Sequence, residues 1–118
     1  MKIFISADIE GVTGVTTWAS TRYGGKDYEQ ACQQMTREVA AVCKAALEAG
    51  CEVVVKDGHE DAMNIDPFML PKGVQLIRGW MNTPLSMMAG LDETFDGAFY
   101  IGYHSGAWTN TSPLKHTG

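Results

Sequence analysis

A long amphipathic run bracketed by two short apolar runs constrains this chain more than any other feature. From Tyr28 to Ala49, apolar side chains recur at Tyr28, Ala31, Met35, Val39, Val42, Ala46 and Ala49. Steps of three and four residues draw one stripe down a helix. Asp27 has the chemistry of an N-cap, with Gln30 as its capping-box partner, and Gly50 supplies the stop. Ile3-Phe4-Ile5-Ser6-Ala7 before the helix and Val53-Val54-Val55 after it read as buried strands. Strand, long helix, strand predicts a parallel βαβ unit. Val74 to Ile77 and Ala98 to Ile101 add two strand candidates, and Pro84 to Ala89 reads as a short helix. Val12 to Lys26, rich in Thr and Gly, reads as a loop. The expected fold class is α/β, a layered sheet of mostly parallel strands with crossover helices, forming one domain over residues 1–118.

Composition narrows the partners. The 118 residues carry 9 Lys+Arg against 14 Asp+Glu, a formal net charge of −5. Phosphate backbones and anionic lipids call for a basic stripe, so neither nucleic acid nor a membrane surface is expected. Surplus carboxylates suit a divalent cation better. No run approaches the roughly 20 apolar residues of a membrane span, and the N-terminal run is too short for a secretory signal. Cys32, Cys43 and Cys51 make an odd number without a CxxC pair, which points to reduced thiols in a cytoplasmic protein rather than a zinc knuckle. Met81, Met87 and Met88 read as core filler. Trp80 and Trp108 read as wall of a pocket or of an oligomer contact, and Trp18 as a residue able to face the crevice. Ser105 to Gly118 shows no regular pattern, so the sequence reads as part of a longer chain.

In open α/β sheets, ligands bind beyond the carboxyl ends of the strands. Three strand candidates here end in groups able to hold a metal. The first runs into Asp8-Ile9-Glu10, whose carboxylates two residues apart face one way in extended chain. The second ends in Lys56-Asp57-Gly58-His59 and the last in Gly102-Tyr103-His104. His116, the third histidine, follows in the next loop. Asp57 reads either as a simple turn residue or as a partner orienting a ligand histidine. Carboxylates mixed with imidazoles suit zinc. Two of each exceed the three protein ligands of one catalytic zinc, which suggests two metals sharing a carboxylate, about 3.5–4 Å apart. Such a pair activates a water and polarises a carbonyl, with a histidine moving protons.

The combination Asp8-Ile9-Glu10-Gly11, Tyr28-Glu29, Met35-Thr36, Asp57-Gly58-His59, Gly90-Leu91-Asp92-Glu93-Thr94-Phe95 and Gly102-Tyr103-His104 resembles the D-aminopeptidase family, binuclear zinc peptidases of the dipeptide-transport operon type. The likeness runs in order from Met1 through His116. It implies that Asp8 bridges two zincs, that Glu10 and His59 complete one site, and that His104 serves the other. It gives His116 the role of nucleophile or acid/base. It implies hydrolysis of short peptides with N-terminal D-amino acids, in ring-like homo-oligomers. It also implies a longer chain, in which a downstream glutamate completes the second site.

Three other readings compete. A haloacid-dehalogenase-like phosphatase would use Asp8 as nucleophile with Mg²⁺, but its strand is followed by Asp-x-Asp and Glu10 is one methylene longer. It also leaves His59 and His104 without work. Gly11-Val12-Thr13-Gly14 after a strand hints at a nucleotide loop, but lacks the GxGxxG spacing. A metal-binding fragment without turnover is the non-enzymatic reading.

Overall fold

The computed structural model describes residues 1–79, 88–107 and 114–116. Trp80, Met81, Met87 and Trp108, and most of the short helix expected from Pro84, lie outside these. Met88 to Gly90 form a turn, closed by the Leu91 N–H on the Met88 carbonyl.

Four strands, β1 (Lys2–Ala7), β2 (Glu52–Asp57), β3 (Gln75–Ile77) and β4 (Gly97–Ile101), form one sheet in the order β3-β2-β1-β4. Every pairing is parallel, with Ile3 against Val53 and Gly97 in register. Helix α1 (Tyr28–Glu48) joins β1 to β2, as the alternation of periods predicts. Ile3, Ile5, Ala7, Val53 and Val55 pack with Ala31, Met35, Val39 and Cys43 of α1 into one core. Phe4 is also fully buried, and its ring meets Phe95 in a T-shaped pair at 5.3 Å between centroids. Val42 and Ala46 lie at the margin of the core, and Ala49, counted in the stripe, is exposed. Cys43 is buried, whereas Cys32 and Cys51 are half-buried at the margin of the core.

The two ends of α1 differ from each other. Gly50 adopts φ +84°, and the Gly50 and Cys51 N–H groups bond the Leu47 and Ala46 carbonyls, a Schellman stop. At the start, the expected capping box does not form. Asp27 sits at φ 64° with no side-chain cap bond, because the chain enters from the tight turn at Gly24-Gly25 and only its carbonyl joins the helix, accepting from Ala31. The Val12–Lys26 loop also contains one 3-10 turn, Trp18–Thr21.

The strand order reverses between β1 and β4, and the crevice of a doubly wound sheet lies at such a switch point, beyond the carboxyl strand ends. Asp8 continues β1 there, its N–H bonding the Ile101 carbonyl at the end of β4. Among the described residues, no helix is long and apolar enough to cross a membrane.

Candidate metal centre

Beyond the ends of β1, β2 and β4 the structure gathers all five side chains singled out in the sequence. Asp8 and Glu10 leave β1 on a turn that two glycines make possible. The Gly11 N–H bonds the Gly102 carbonyl at 2.8 Å, and a Cβ on Gly11 would lie 2.1 Å from the Tyr103 carbonyl oxygen. Gly102 has φ +68°, and its Cβ would lie 2.2 Å from the Asp8 carbonyl oxygen. Close approach of two backbones, not a nucleotide phosphate, accounts for Gly11. It brings His104 beside Asp8.

The carboxylates and imidazoles interlock. Asp8 Oδ1 lies 3.2 Å from His59 Nδ1, and Asp8 Oδ2 lies 3.4 Å from His104 Nε2. Glu10 Oε1 lies 3.2 Å from the same His59 nitrogen and 3.8 Å from His116 Nε2. The carboxylate side chains are 3% exposed, His59 6%, His104 8% and His116 33%, so the cluster opens to solvent past His116. Trp18 stands on that side, its ring centroid 5.4 Å from that of His116.

Each imidazole spends one nitrogen on a backbone carbonyl. His59 Nε2 donates to Thr21, His104 Nδ1 to Ser105 at 2.9 Å, and His116 Nδ1 to Leu114 at 2.8 Å. A carbonyl only accepts, so these nitrogens carry the hydrogen. In the neutral rings, the other three nitrogens turn lone pairs toward two carboxylates. Such a convergence of acceptors calls for cations, and carbonyl-anchored histidines are the usual support of metal ligands. Without a metal, a proton does part of that work. Burial alone would push the His59 imidazole down, but hydrogen bonds to Asp8 and Glu10 raise it to about 10. Burial would likewise raise Glu10, yet the His59 and Asp8 bonds and the His59 charge pull it down to about 2. Burial and the Glu10 charge keep Asp8 above its usual value. Glu10 Oε2 is buried with no hydrogen-bond partner among the described residues. One ligand atom each from Asp8, Glu10 and His59 lie within 4.8 Å of one another, as do those from Glu10, His104 and His116.

Sequence reasoning left Asp57 undecided and did not single out Thr21, Asn64 or Lys56. Asp57 is fully buried and accepts from the Asn64 N–H (2.6 Å), the Asn64 amide (2.9 Å) and the Ile65 N–H (2.7 Å). The same amide donates to the His59 carbonyl at 2.6 Å, and Tyr28 Oη donates to Asn64 Oδ1. Asp57 thus positions His59 through the backbone of its loop and does not touch the ring. Lys56, on the opposite sheet face, ties strand ends together by donating to the Asp57 and Gly79 carbonyls at 2.6 and 3.0 Å.

A curated D-aminopeptidase from Bacillus subtilis (strain 168) is 37% identical over 110 residues, 92% of this chain and 40% of that protein. Among solved structures, the Zn-dependent D-aminopeptidase DppA from Bacillus subtilis, described as a self-compartmentalizing protease, matches with a TM-score of 0.92 at 36% identity. That match covers 99% of this chain and 42% of DppA, so the chain spans about two-fifths of the length of these relatives. A family model described as D-aminopeptidase covers residues 1–118, and the chain belongs to that peptidase family.

Proposed function

We propose that this chain carries the zinc-binding part of a metallo-aminopeptidase that hydrolyses short peptides, with N-terminal D-amino acids as the preferred substrates. The observation that carries the reading is the convergence of two buried carboxylates with three imidazoles, each fixed in one tautomer by a backbone carbonyl. Borderline nitrogen and hard oxygen donors in that mixture fit zinc, and the partnerless Glu10 Oε2 is a donor a metal would satisfy. Asp8, Glu10 and His59 would hold one ion. Asp8, which offers its second oxygen toward His104, would span to another. Bound zinc supplies Lewis acidity and a nucleophilic water at neutral pH.

The protein's own groups do the rest. The burial of Asp8, Glu10 and His59 excludes bulk water from the carboxylate side, which strengthens every charge interaction there. Among the described residues, the more exposed side at His116 and Trp18 offers a peptide a line of approach. We read residues 1–118 as one α/β metal-binding domain, corresponding to part of longer relatives. The self-compartmentalizing character of DppA supports a homo-oligomer, and the reduced cysteines support a cytoplasmic setting.

Elemental mass spectrometry on the dialysed chain, with release of D-alanine from D-Ala-D-Ala set against L-Ala-L-Ala, tests the proposal. Bound zinc and faster release from the D-peptide are expected. Asp8→Ala should remove both with the fold retained. A folded chain that takes up no zinc overturns the reading, and zinc without turnover reduces it to a metal-binding unit.

A further inference from the structure

We propose that Arg22 receives the free C-terminal carboxylate of the peptide substrate, so that the site selects short peptides by terminal charge and by length. The inference rests on the peptidase reading above and deepens it.

The 3-10 turn Trp18–Thr21 links the buried cluster to its exposed rim. The Thr21 carbonyl at the end of the turn accepts from His59 Nε2. The Trp18 ring at its start stands 5.4 Å from that of His116, between centroids. Arg22 follows directly in extended backbone, its N–H bonded to the Ala19 carbonyl. Its guanidinium carbon lies 6.0 Å from the Trp18 ring centroid, within reach of a cation–π contact. Both residues are exposed, Trp18 at 43%. Apart from that ring, the Arg22 side chain has no hydrogen-bond or ion-pair partner among the described residues. The other two arginines are placed elsewhere. Arg37 spends its guanidinium on Gln34 Oε1 at 3.1 and 2.9 Å, and Arg78 follows β3 at the far edge of the sheet.

Charge and length give this placement its meaning. A peptide with a free C-terminus brings one more carboxylate toward a chain of net charge −5, whose site already holds Asp8 and Glu10. A cation on the rim offsets that repulsion. A guanidinium suits the task, because it binds a carboxylate with two parallel N–H groups and keeps them while resting on an aromatic ring. The two legs from His116 to Trp18 and on to Arg22, 5.4 and 6.0 Å, span at most about three extended residues of ~3.5 Å each. A longer peptide carries its carboxylate past the guanidinium and gains nothing from it.

Isothermal titration calorimetry on the zinc-loaded chain tests the inference, with D-Ala-D-Ala-D-Ala as the free acid and as the C-terminal amide. The acid should bind about fivefold tighter, the most an exposed ion pair gives. That preference should fade in about 1 M salt, where screening reaches down to about 3 Å. It should collapse in Arg22→Gln, survive in part in Arg22→Lys and survive in Lys115→Gln, which removes the cation next to His116 in sequence. Circular dichroism serves as the fold control, and the comparison of acid with amide in the unmodified chain depends on no variant. A structural stacking role alone would weaken both peptides alike. An acid preference below about twofold, or one that persists in folded Arg22→Gln or vanishes in Lys115→Gln, overturns the inference and spares the peptidase reading. Binding of neither peptide to the zinc-loaded chain overturns both.

Discussion

Replacing Asp57 by alanine should cost far more stability than a turn residue would. The carboxylate is fully buried and is the acceptor for three donors at 2.6 to 2.9 Å. A buried donor left without an acceptor costs about 1–3 kcal/mol. Three of them set a ceiling near 9 kcal/mol, and loop relaxation and entering water bring the expected loss to about 4 kcal/mol. The loop has reason to relax, because Glu60 and Ala62 within it hold left-handed conformations at φ 47° and 59°, each worth about 1 kcal/mol or more of strain. Domains of this size have about 5–15 kcal/mol in total, so the variant should be folded but marginal. Urea unfolding of the metal-free chain, followed by far-ultraviolet circular dichroism, reads the loss without zinc linkage. With a urea slope of about 1.5–2 kcal/mol/M, the midpoint should fall by about 2 M or more. Asp57→Asn keeps one acceptor oxygen and should lose about half as much. Because the Asn64 amide links Asp57 to the His59 carbonyl, zinc affinity should fall in both variants even where they stay folded. A loss below about 1 kcal/mol in Asp57→Ala would return Asp57 to the status of a simple turn residue and refute the positioning argument.

Other perturbations probe different parts of the centre. Gly11→Ala places a methyl 2.1 Å from the Tyr103 carbonyl oxygen, so β1 and β4 must part, and metal uptake should drop together with thermal stability. In the metal-free chain His59 has a folded-state value raised to about 10 from 6.5, so its contribution is full below pH 6.5 and is lost as pH rises toward 10. Glu10, lowered to about 2 from 4.5, contributes above pH 4.5 and loses that as pH falls toward 2. The urea midpoint should therefore be highest between pH 4.5 and 6.5. Zinc affinity should rise with pH above 6.5, with a proton released to an indicator dye on binding, and His59→Ala should abolish that release. Burial pushes the Cys43 thiol up to about 11, so a thiol reagent at neutral pH should modify Cys43 only as fast as the chain unfolds.

The sheet and its helix were legible because two periods alternate cleanly. The Val53-Val54-Val55 run and the Tyr28–Ala46 stripe each carry a pattern that tertiary structure had no reason to override. The start of α1 was not legible in the same way. Asp27 and Gln30 spell a capping box, but Asp27 is left-handed and its side chain makes no cap hydrogen bond. The strand-end carboxylates and histidines could be found because topology alone directs strand ends to one crevice. Their supports could not. Thr21 supports His59 with a backbone carbonyl, which leaves no signature in the side chain. Asn64 acts across a loop without a period. Thr36 did leave a signal, as a polar residue on the apolar face of α1. It is fully buried, and its hydroxyl accepts the Asp66 N–H at 3.1 Å.

The same geometry decides between the two enzyme chemistries that the Asp8-Ile9-Glu10 run allows. A phosphatase of the haloacid-dehalogenase type needs one Asp8 oxygen open toward a phosphorus atom and a metal held by carboxylates. Here Asp8 Oδ1 takes the Ile9 N–H at 2.8 Å and stands against His59, and Asp8 Oδ2 stands against His104. Neither oxygen has a free line of attack, and the side chain is 3% exposed. The extra methylene of Glu10, a defect in the phosphatase signature, carries its carboxylate out to meet both His59 and His116. The anchoring of the rings goes further still. Three imidazoles held by carbonyls are built to present nitrogen lone pairs, which Mg²⁺ accepts poorly and zinc accepts well. On the proposed reading, metal preference would follow from hydrogen bonds outside the ligand set. Replacing Zn²⁺ by Mg²⁺ at equal concentration should leave the chain's thermal midpoint at its metal-free value, and an equal shift with both ions would undo that argument.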